Sequence, residues 1–397
     1  MSEARIDSIS NESNTGGPVL SGVTEFSGQQ YFIPPTGTTA ERPSDCPPGS
    51  IRFNTDSSHL EYWNGLVWLE FEASNIELGH NDTATDIFAA GDSAGLGTRA
   101  LFGGGYAPGD VNTIDYISVS SFGDAIDFGD LTQKRRPGGA VSSSTRSVFW
   151  AGRKGGPLES TNVIDFITIS STGNATDFGD NTTKLEFGVG VGNATRGVYG
   201  GGYEASPLSD ITNSLYYITI ASTGGSIDFG DVSSGHHHLG AGCASAVRGV
   251  FAGGKDASPN QPINTIDFIT ISTLGNTLEF GDLTSVRFGF GGCSNAVRGI
   301  FGGGATQTSP LTLNKTNIID FITIASTGNA TDFGDRTISD FYNGAACSPT
   351  RAVFSGDYQV VTMDAVEIMT TGNAQDFGDL TQGRLQNVGT SNGHGGL

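Results

Sequence analysis

Ile319-Asp320-Phe321-Ile322-Thr323-Ile324, then Ser326-Thr327-Gly328-Asn329-Ala330, then Asp332-Phe333-Gly334-Asp335: this phrase occurs, with variations, six times in the chain. Its ending falls at Asp127-Phe128-Gly129-Asp130, Asp177-Phe178-Gly179-Asp180 and Asp228-Phe229-Gly230-Asp231. It returns at Glu279-Phe280-Gly281-Asp282, Asp332-Phe333-Gly334-Asp335 and Asp376-Phe377-Gly378-Asp379. Successive starts lie 50, 51, 51, 53 and 44 residues apart. A second marker keeps step, an Arg followed two residues later by an apolar pair, at Arg99, Arg146, Arg196, Arg248, Arg298 and Arg351. Self-similarity at a fixed period decides the architecture before any other signal.

Each unit holds four short runs rich in Phe, Ile, Val and Thr, punctuated by Gly, Asn, Ser and Pro, which reads as four strands. In the fifth unit these are Arg287–Gly292, Arg298–Phe301, Ile319–Ile324 and Ala330–Phe333. No segment shows a helical apolar stripe of useful length. Ile-Asp-Phe-Ile-Thr-Ile is apolar on both faces, which suits a sheet packed between two neighbours. Four strands at a period near 50, paired glycines after the second strand and an Arg after the fourth (Arg287) resemble kelch repeats, over roughly residues 82–397. The resemblance implies an all-β fold, a six-bladed kelch-like β-propeller. Arg384-Leu385-Gln386-Asn387-Val388-Gly389-Thr390-Ser391-Asn392 aligns with Arg287–Asn295, so it is a first strand with no blade of its own. It is expected to complete the first blade and remove two exposed edges. The rival closing strand is Asp86-Ile87-Phe88-Ala89-Ala90.

Composition narrows the function classes. With 60 glycines and apolar runs between them, the chain reads as turn-rich rather than disordered. A formal charge of −21, from 20 basic and 41 acidic side chains, repels phosphate backbones, so nucleic acid is not an expected partner. No apolar run is long enough to span a bilayer, so no membrane insertion is expected. Cys243, Cys293 and Cys347 precede the Arg marker in successive repeats and read as buried free thiols in equivalent places, while Cys46 stands alone.

Residues 1–20 are polar and read as a flexible arm. Residues 21–80 read as a small all-β module, with Glu25–Pro35 as one strand and Asn64-Gly65 as a hairpin turn between Leu60–Trp63 and Leu66–Phe71. The propeller then occupies 81–397. Gly-Ser-Ile-Arg-Phe-Asn-Thr-Asp, Leu-Glu-Tyr-Trp-Asn-Gly and Val-Trp, between 49 and 68, resemble a small module of tailed-phage virion proteins, commonly tail fibres. That resemblance implies a non-enzymatic structural protein located in the virion. Its N-terminal region anchors to other virion proteins, and its propeller projects outward, where it either binds a host surface glycan or receptor or simply decorates the particle. A hairpin so small rarely stands alone, so packing on a copy of itself, a homo-oligomer, is one arrangement open to it. Two alternatives stay open, a propeller hydrolase of host polysaccharide and a protein-interaction scaffold outside any virus.

Among repeated charges, the six arginines begin the second strand at the end where Asp127, Asp177, Asp228, Glu279, Asp332 and Asp376 begin the fourth. A ring of Arg–carboxylate contacts is expected, structural because it repeats in every unit. Asp115, Asp165, Asp267, Asp320 and Asp364 open the third strand, interrupted by Tyr216, and are expected to accept N–H groups of preceding loops. His236, His237 and His238 read as a solvated link. No spacing matches a calcium loop, zinc site, nucleophile elbow or phosphate loop, so no cofactor, metal or catalytic residue is assigned. The connection from second to third strand varies most in length, and such insertions often mark a binding face.

Overall fold

The computed structural model describes residues 34–57, 59–70, 98–155, 159–204, 210–233, 240–256, 261–309 and 312–397. The arm at 1–20, most of Glu25–Pro35, the rival strand at 86–90 and the histidines at 236–238 lie outside these residues. The chain divides into two compact units, Met1–Ala84 and Thr85–Leu397. Among the described residues the only helical element is a 3-10 turn at Thr39–Glu41.

The first unit is one sheet in the order Thr36–Gly37, Ile51–Asn54, His59–Trp63, Trp68–Glu70. Alternation along its strands puts Arg52, Asn54 and Glu61 on the covered face. The Glu61 carboxylate is fully buried, and it accepts from Arg52 Nη1 at 3.0 Å and Arg42 Nη2 at 2.7 Å. A carboxylate removed from water requires such partners. The hairpin turn spans four residues rather than two. Trp63 pairs with Trp68, and the Asn64 side chain accepts the Leu66 and Val67 amides at 2.8 Å. The Asn side chain substitutes for a backbone turn and lengthens the loop.

The second unit is all-β and β-propeller-like, built from four-stranded antiparallel sheets. The first sheet is Val388–Ser391, Arg99–Ala107, Gly109–Ser118 and Ile126–Asp130; the second is Gly139–Ser142, Arg146–Arg153, Ser160–Thr168 and Thr176–Asp180. The third is Val189–Gly192, Arg196–Gly200, Ser214–Thr219 and Ile227–Asp231; the fourth is Ala241–Ala244, Arg248–Ala252, Thr265–Thr270 and Leu278–Asp282. The fifth is Gly291–Ser294, Arg298–Gly302, Thr312–Thr323 and Thr331–Asp340, with Ala305–Ser309 added as a protruding hairpin on its third strand. The sixth is Ala345–Cys347, Arg351–Phe354, Thr362–Glu367 and Gln375–Asp379. The C-terminal segment thus supplies the innermost strand of the first sheet, pairing Val388 with Gly103 and Ser391 with Ala100. First strands begin later than their sequence limits suggest: in the fifth sheet Arg287 to Phe290 precede the strand, because the Arg287 guanidinium turns into the interior.

Inner strands of successive sheets touch, and that of the sixth touches that of the first. The core follows the same order. Six clusters each fill one gap between neighbouring sheets, and one of them joins Phe377 and Val353 of the last sheet to Phe102 and Ile117 of the first. Phe102, Phe149, Tyr199, Phe251, Phe301 and Phe354 stand at one equivalent position and are all fully buried. Each such side chain stabilises the fold by about 1.5–3 kcal/mol.

The repeated phrase acquires its meaning at the perimeter. The outer strand of each sheet offers two carbonyls to the hairpin of the next. Gly173 N donates to Phe128 O at 2.8 Å and Ala175 N to Asp130 O at 2.7 Å. The same pair recurs at every junction, ending with Gly123 N to Phe377 O at 2.9 Å and Ala125 N to Asp379 O at 2.7 Å. At most junctions the hairpin's Asn or Asp side chain accepts an amide in return, as Asn174 Oδ1 does from Asp130 N at 3.1 Å. The Gly of Phe-Gly-Asp sits at this contact with φ near +145°, and a Cβ on Gly334 would lie 2.4 Å from Gly372 O. Both facts demand glycine. Gly334→Ala should therefore cost about 2–4 kcal/mol, the range of mutations that strain backbone and packing together. Urea denaturation that gave Gly334→Ala a wild-type midpoint would contradict the belt.

Candidate functional site

The six repeated arginines are used identically, though not as the charge pattern suggests. Arg99 Nη1 donates to Ile169 O at 2.9 Å, Arg146 Nη1 to Ile220 O at 2.9 Å and Arg196 Nη1 to Ile271 O at 2.9 Å. Arg248, Arg298 and Arg351 reach Ile324 O, Ile368 O and Val119 O at 3.0, 3.2 and 2.9 Å. Each bond crosses to the next sheet. Each guanidinium also lies over an aromatic ring, at 4.3 to 5.0 Å from its centroid. The six carboxylates, Asp127, Asp177, Asp228, Glu279, Asp332 and Asp376, stand exposed instead. Register explains the separation. Arg99 faces Ser118 on the third strand, whereas Asp127 faces Asp115, three residues further along, which is about 10 Å. Of the six arginines only Arg351 meets a carboxylate among the described residues, Glu367 at 2.9 Å.

The third-strand aspartates do accept loop amides, and they do more. Asp115 takes Thr381 N at 3.3 Å and Thr381 Oγ1 at 2.6 Å, both from the link arriving from the sixth sheet. It then pairs with the Arg384 guanidinium at 2.9 Å, both side chains fully buried, while Arg384 Nη2 holds Phe102 O. Arg135 with Asp165 at 2.7 Å and Arg287 with Asp320 at 3.0 Å repeat the arrangement. These arginines stand five residues after the last Asp of the outer strand. Where Tyr216 replaces the aspartate, Leu185 replaces the arginine, a joint loss readable in the sequence, whereas Asp267 is kept with His236 at the arginine place. At the fifth-to-sixth link Arg336 approaches Asp364 at 2.9 Å from a different backbone position, and Asp340 occupies the usual arginine place. Burial, together with the nearby Asp364 and Asp357 charges, outweighs the Arg336 contact and pushes Asp340 up to about 7.

Along the inner strands of five of the six sheets runs a further series of bonds. Ser142 Oγ donates to Ser391 O at 2.7 Å, Ser391 Oγ to Cys347 O at 2.6 Å, Cys347 Sγ to Ser294 O at 3.0 Å and Ser294 Oγ to Ala244 O at 2.7 Å. Cys347 therefore occupies the serine place, one position on from Cys243 and Cys293, because its inner strand meets Arg351 one residue sooner. All three thiols are free and buried, and burial pushes the Cys243 thiol well up, which leaves it inert. One end of the enclosed space is sealed by the C-terminal tail. His394 Nε2 donates to Ser142 O at 2.9 Å, Gly395 N to Ser294 O at 2.7 Å, and Gly396 O accepts Ala194 N at 3.1 Å.

The other end opens as a recess walled by glycine-rich inner strands. Phe187, Tyr342 and Gln386 stand at equivalent rim positions with φ of +60°, +65° and +57°. Left-handed backbone at bulky residues is stored strain that tends to mark ligand contacts. Phe187 belongs to the third sheet and Tyr342 to the sixth, three sheets apart in the ring order. The variable connections surround this mouth and are tied together. Arg136 holds Asp110 at 2.7 Å, Lys255 Nζ donates to Gln307 Oε1 at 3.1 Å, and Tyr106 packs on Tyr358 at 6.0 Å. Among the described residues no cluster of His, Cys, Asp or Glu is arranged to hold a metal ion. The recess presents aromatic faces, side-chain amides and backbone groups. In sequence, the chain matches no known family and no characterised protein.

Two measurements test this reading of the links. Arg287→Leu alone should cost about 3–5 kcal/mol, because Asp320 keeps its charge without its partner. Adding Asp320→Tyr copies Leu185 and Tyr216 and should recover more than half of the loss in urea titrations; additive losses would contradict the pairing. Asp340 supplies a pH test. Its folded form keeps a proton that the unfolded chain has released, so the folded state binds more protons between the ordinary carboxylate range and about 7. Its contribution is greatest in acid and falls as pH rises through that window. Relative to Asp340→Asn, the wild type should therefore lose stability between pH 5 and pH 8, and a difference that stays flat would refute the raised value.

Proposed function

We propose that the propeller expected over residues 81–397 has six kelch-like blades and that the chain is a non-enzymatic structural protein of a tailed-phage virion. The N-terminal module attaches to other virion proteins, and the propeller projects outward and binds the host surface. The observation that carries this is polarity. The chain enters the ring beside the sealing tail, where Val119 N meets Thr98 O and Asn392 N meets Arg99 O. The open mouth and its variable loops therefore lie at the opposite end of the ring from Thr98.

Supporting the anchor is the Gly49–Trp68 pattern, which falls within a separate compact unit whose strands match its alternation. Supporting the blade count is the order of the sheets, each sharing a core cluster with the next and the last with the first. A ring of repeated structural contacts with a recess lined by small residues suits display and recognition rather than turnover.

The test is location on purified particles. Antibody against the ring should label intact virions, and deletion of residues 1–84 should abolish incorporation while leaving the ring folded. Absence from particles would favour the non-viral scaffold, and depolymerisation of host polysaccharide by the purified chain would favour the hydrolase.

A further inference from the structure

The six sheets are near-copies, so a departure confined to one of them stands out against five internal controls. In the first five, the residue after the third-strand aspartate (or Tyr216) is aromatic: Tyr116, Phe166, Tyr217, Phe268 and Phe321. Each ring lies under the repeated arginine and meets the Phe of Phe-Gly-Asp edge-on, at 5.8 to 6.2 Å. In the sixth sheet that residue is Ala365.

Part of the missing ring is replaced from next door. Phe122, on the hairpin of the first sheet, stands where the other hairpins carry Thr172, Thr223, Leu274, Thr327 and Thr371. It lies 4.5 Å under Arg351 and 5.3 Å from Phe377, tilted rather than edge-on, and is 52% exposed. The replacement leaves space. The recess beside Phe122 and Arg351 is larger than its counterpart beside Phe321 in the fifth sheet.

We propose that this recess is a binding site for a single neutral pyranose ring, the terminal sugar of a glycan. Phe122 presents a half-exposed aromatic face, which accepts the C–H face of a sugar. Glu367, Asn373, Gln375 and Thr370 line the walls with acceptors and donors for hydroxyl groups. Glu367 Oε1 already accepts from Arg351 Nε at 2.9 Å, which orients the pair without covering it, since the Glu367 side chain is 53% exposed. An aromatic side chain of a partner protein would bury the Arg351–Glu367 pair against carbon, and desolvating an ion pair is costly. An anionic sugar would face Glu367 and a chain of net charge −21. The five sister sheets demonstrate that this place in the fold accommodates a six-membered ring beside an arginine. The sixth sets Phe122 under its arginine instead, and the space beside Phe122 stays open to a ring from outside.

This inference deepens the reading of the ring as a host-binding body, and the two fail separately because the test needs no particle. The purified full-length chain is titrated with methyl glycosides of glucose, galactose, mannose and N-acetylglucosamine, followed by saturation-transfer NMR and calorimetry. At least one should bind with a dissociation constant of about 1 mM, the scale for a ligand of this size. The double variant Ala365→Phe/Phe122→Thr rebuilds the sister arrangement. It should keep the wild-type thermal midpoint and weaken that binding at least tenfold. Phe321→Ala, in a sheet without a Phe122 equivalent, should create no site of the same affinity. Undiminished binding by the double variant would overturn the proposal. So would no saturable binding of any glycoside, or binding of N-acetylphenylalaninamide alone, which would assign the recess to a protein side chain. A chain that binds a glycoside here yet is missing from particles would overturn only the virion reading.

Discussion

The unpaired edge of a β-strand is the constraint around which this ring is arranged. Every sheet has two edges, and an exposed edge invites pairing with another chain. At the perimeter, the carbonyls flanking the Gly of Phe-Gly-Asp are covered by two amides of the neighbouring hairpin, and the last sheet is covered by the first. Only glycine permits that approach, and only a chain that returns to its start can supply the final partner. The C-terminal strand meets the same requirement from the inside, since without Val388–Ser391 the first sheet would begin at an open Arg99–Ala107.

Three sets of contacts follow, of which only the stacked arginines recur in all six sheets. Serine hydroxyls and one thiol bond carbonyls around the inner strands; buried Arg–Asp pairs fasten the links; and arginines stacked on rings reach carbonyls of the next sheet near the rim. The hydroxyl and thiol bonds and the stacked arginines act between sheets, whereas each Arg–Asp pair fastens an arriving link to the sheet that it enters. A buried ion pair contributes little net stability, but losing one partner costs several kcal/mol. That asymmetry accounts for the loss of both members together at Leu185 and Tyr216.

Departures from the repeat are therefore informative in two ways. Some are compensated in place, as with Cys347 in a serine position or Arg336 reaching Asp364 from a new backbone position. Others leave something over. Asp340 keeps a buried oxygen without a partner. Ala365 leaves a recess, and the rim residues Phe187 and Tyr342 keep strained backbone beside an open mouth. Repetition identifies the scaffold, and uncompensated exceptions point to where recognition is placed.

Most of the architecture was legible in the linear chain. The period, the four strands per unit and the leftover Arg384–Asn392 segment together require sheets that close on themselves, because strand alternation and repeat spacing are local properties. The paired loss of Asp and Arg at Tyr216 and Leu185 was also legible. The partners of charges were not. Arg99 and Asp127 look complementary in sequence, yet strand register sets them about 10 Å apart, and carbonyls of the adjoining sheet accept the guanidinium instead. Nor could the chain order show that Phe122 leans over Phe377, or that His394 closes one end. Those contacts join residues more than 200 positions apart, and they exist only because ring closure brings the last sheet against the first.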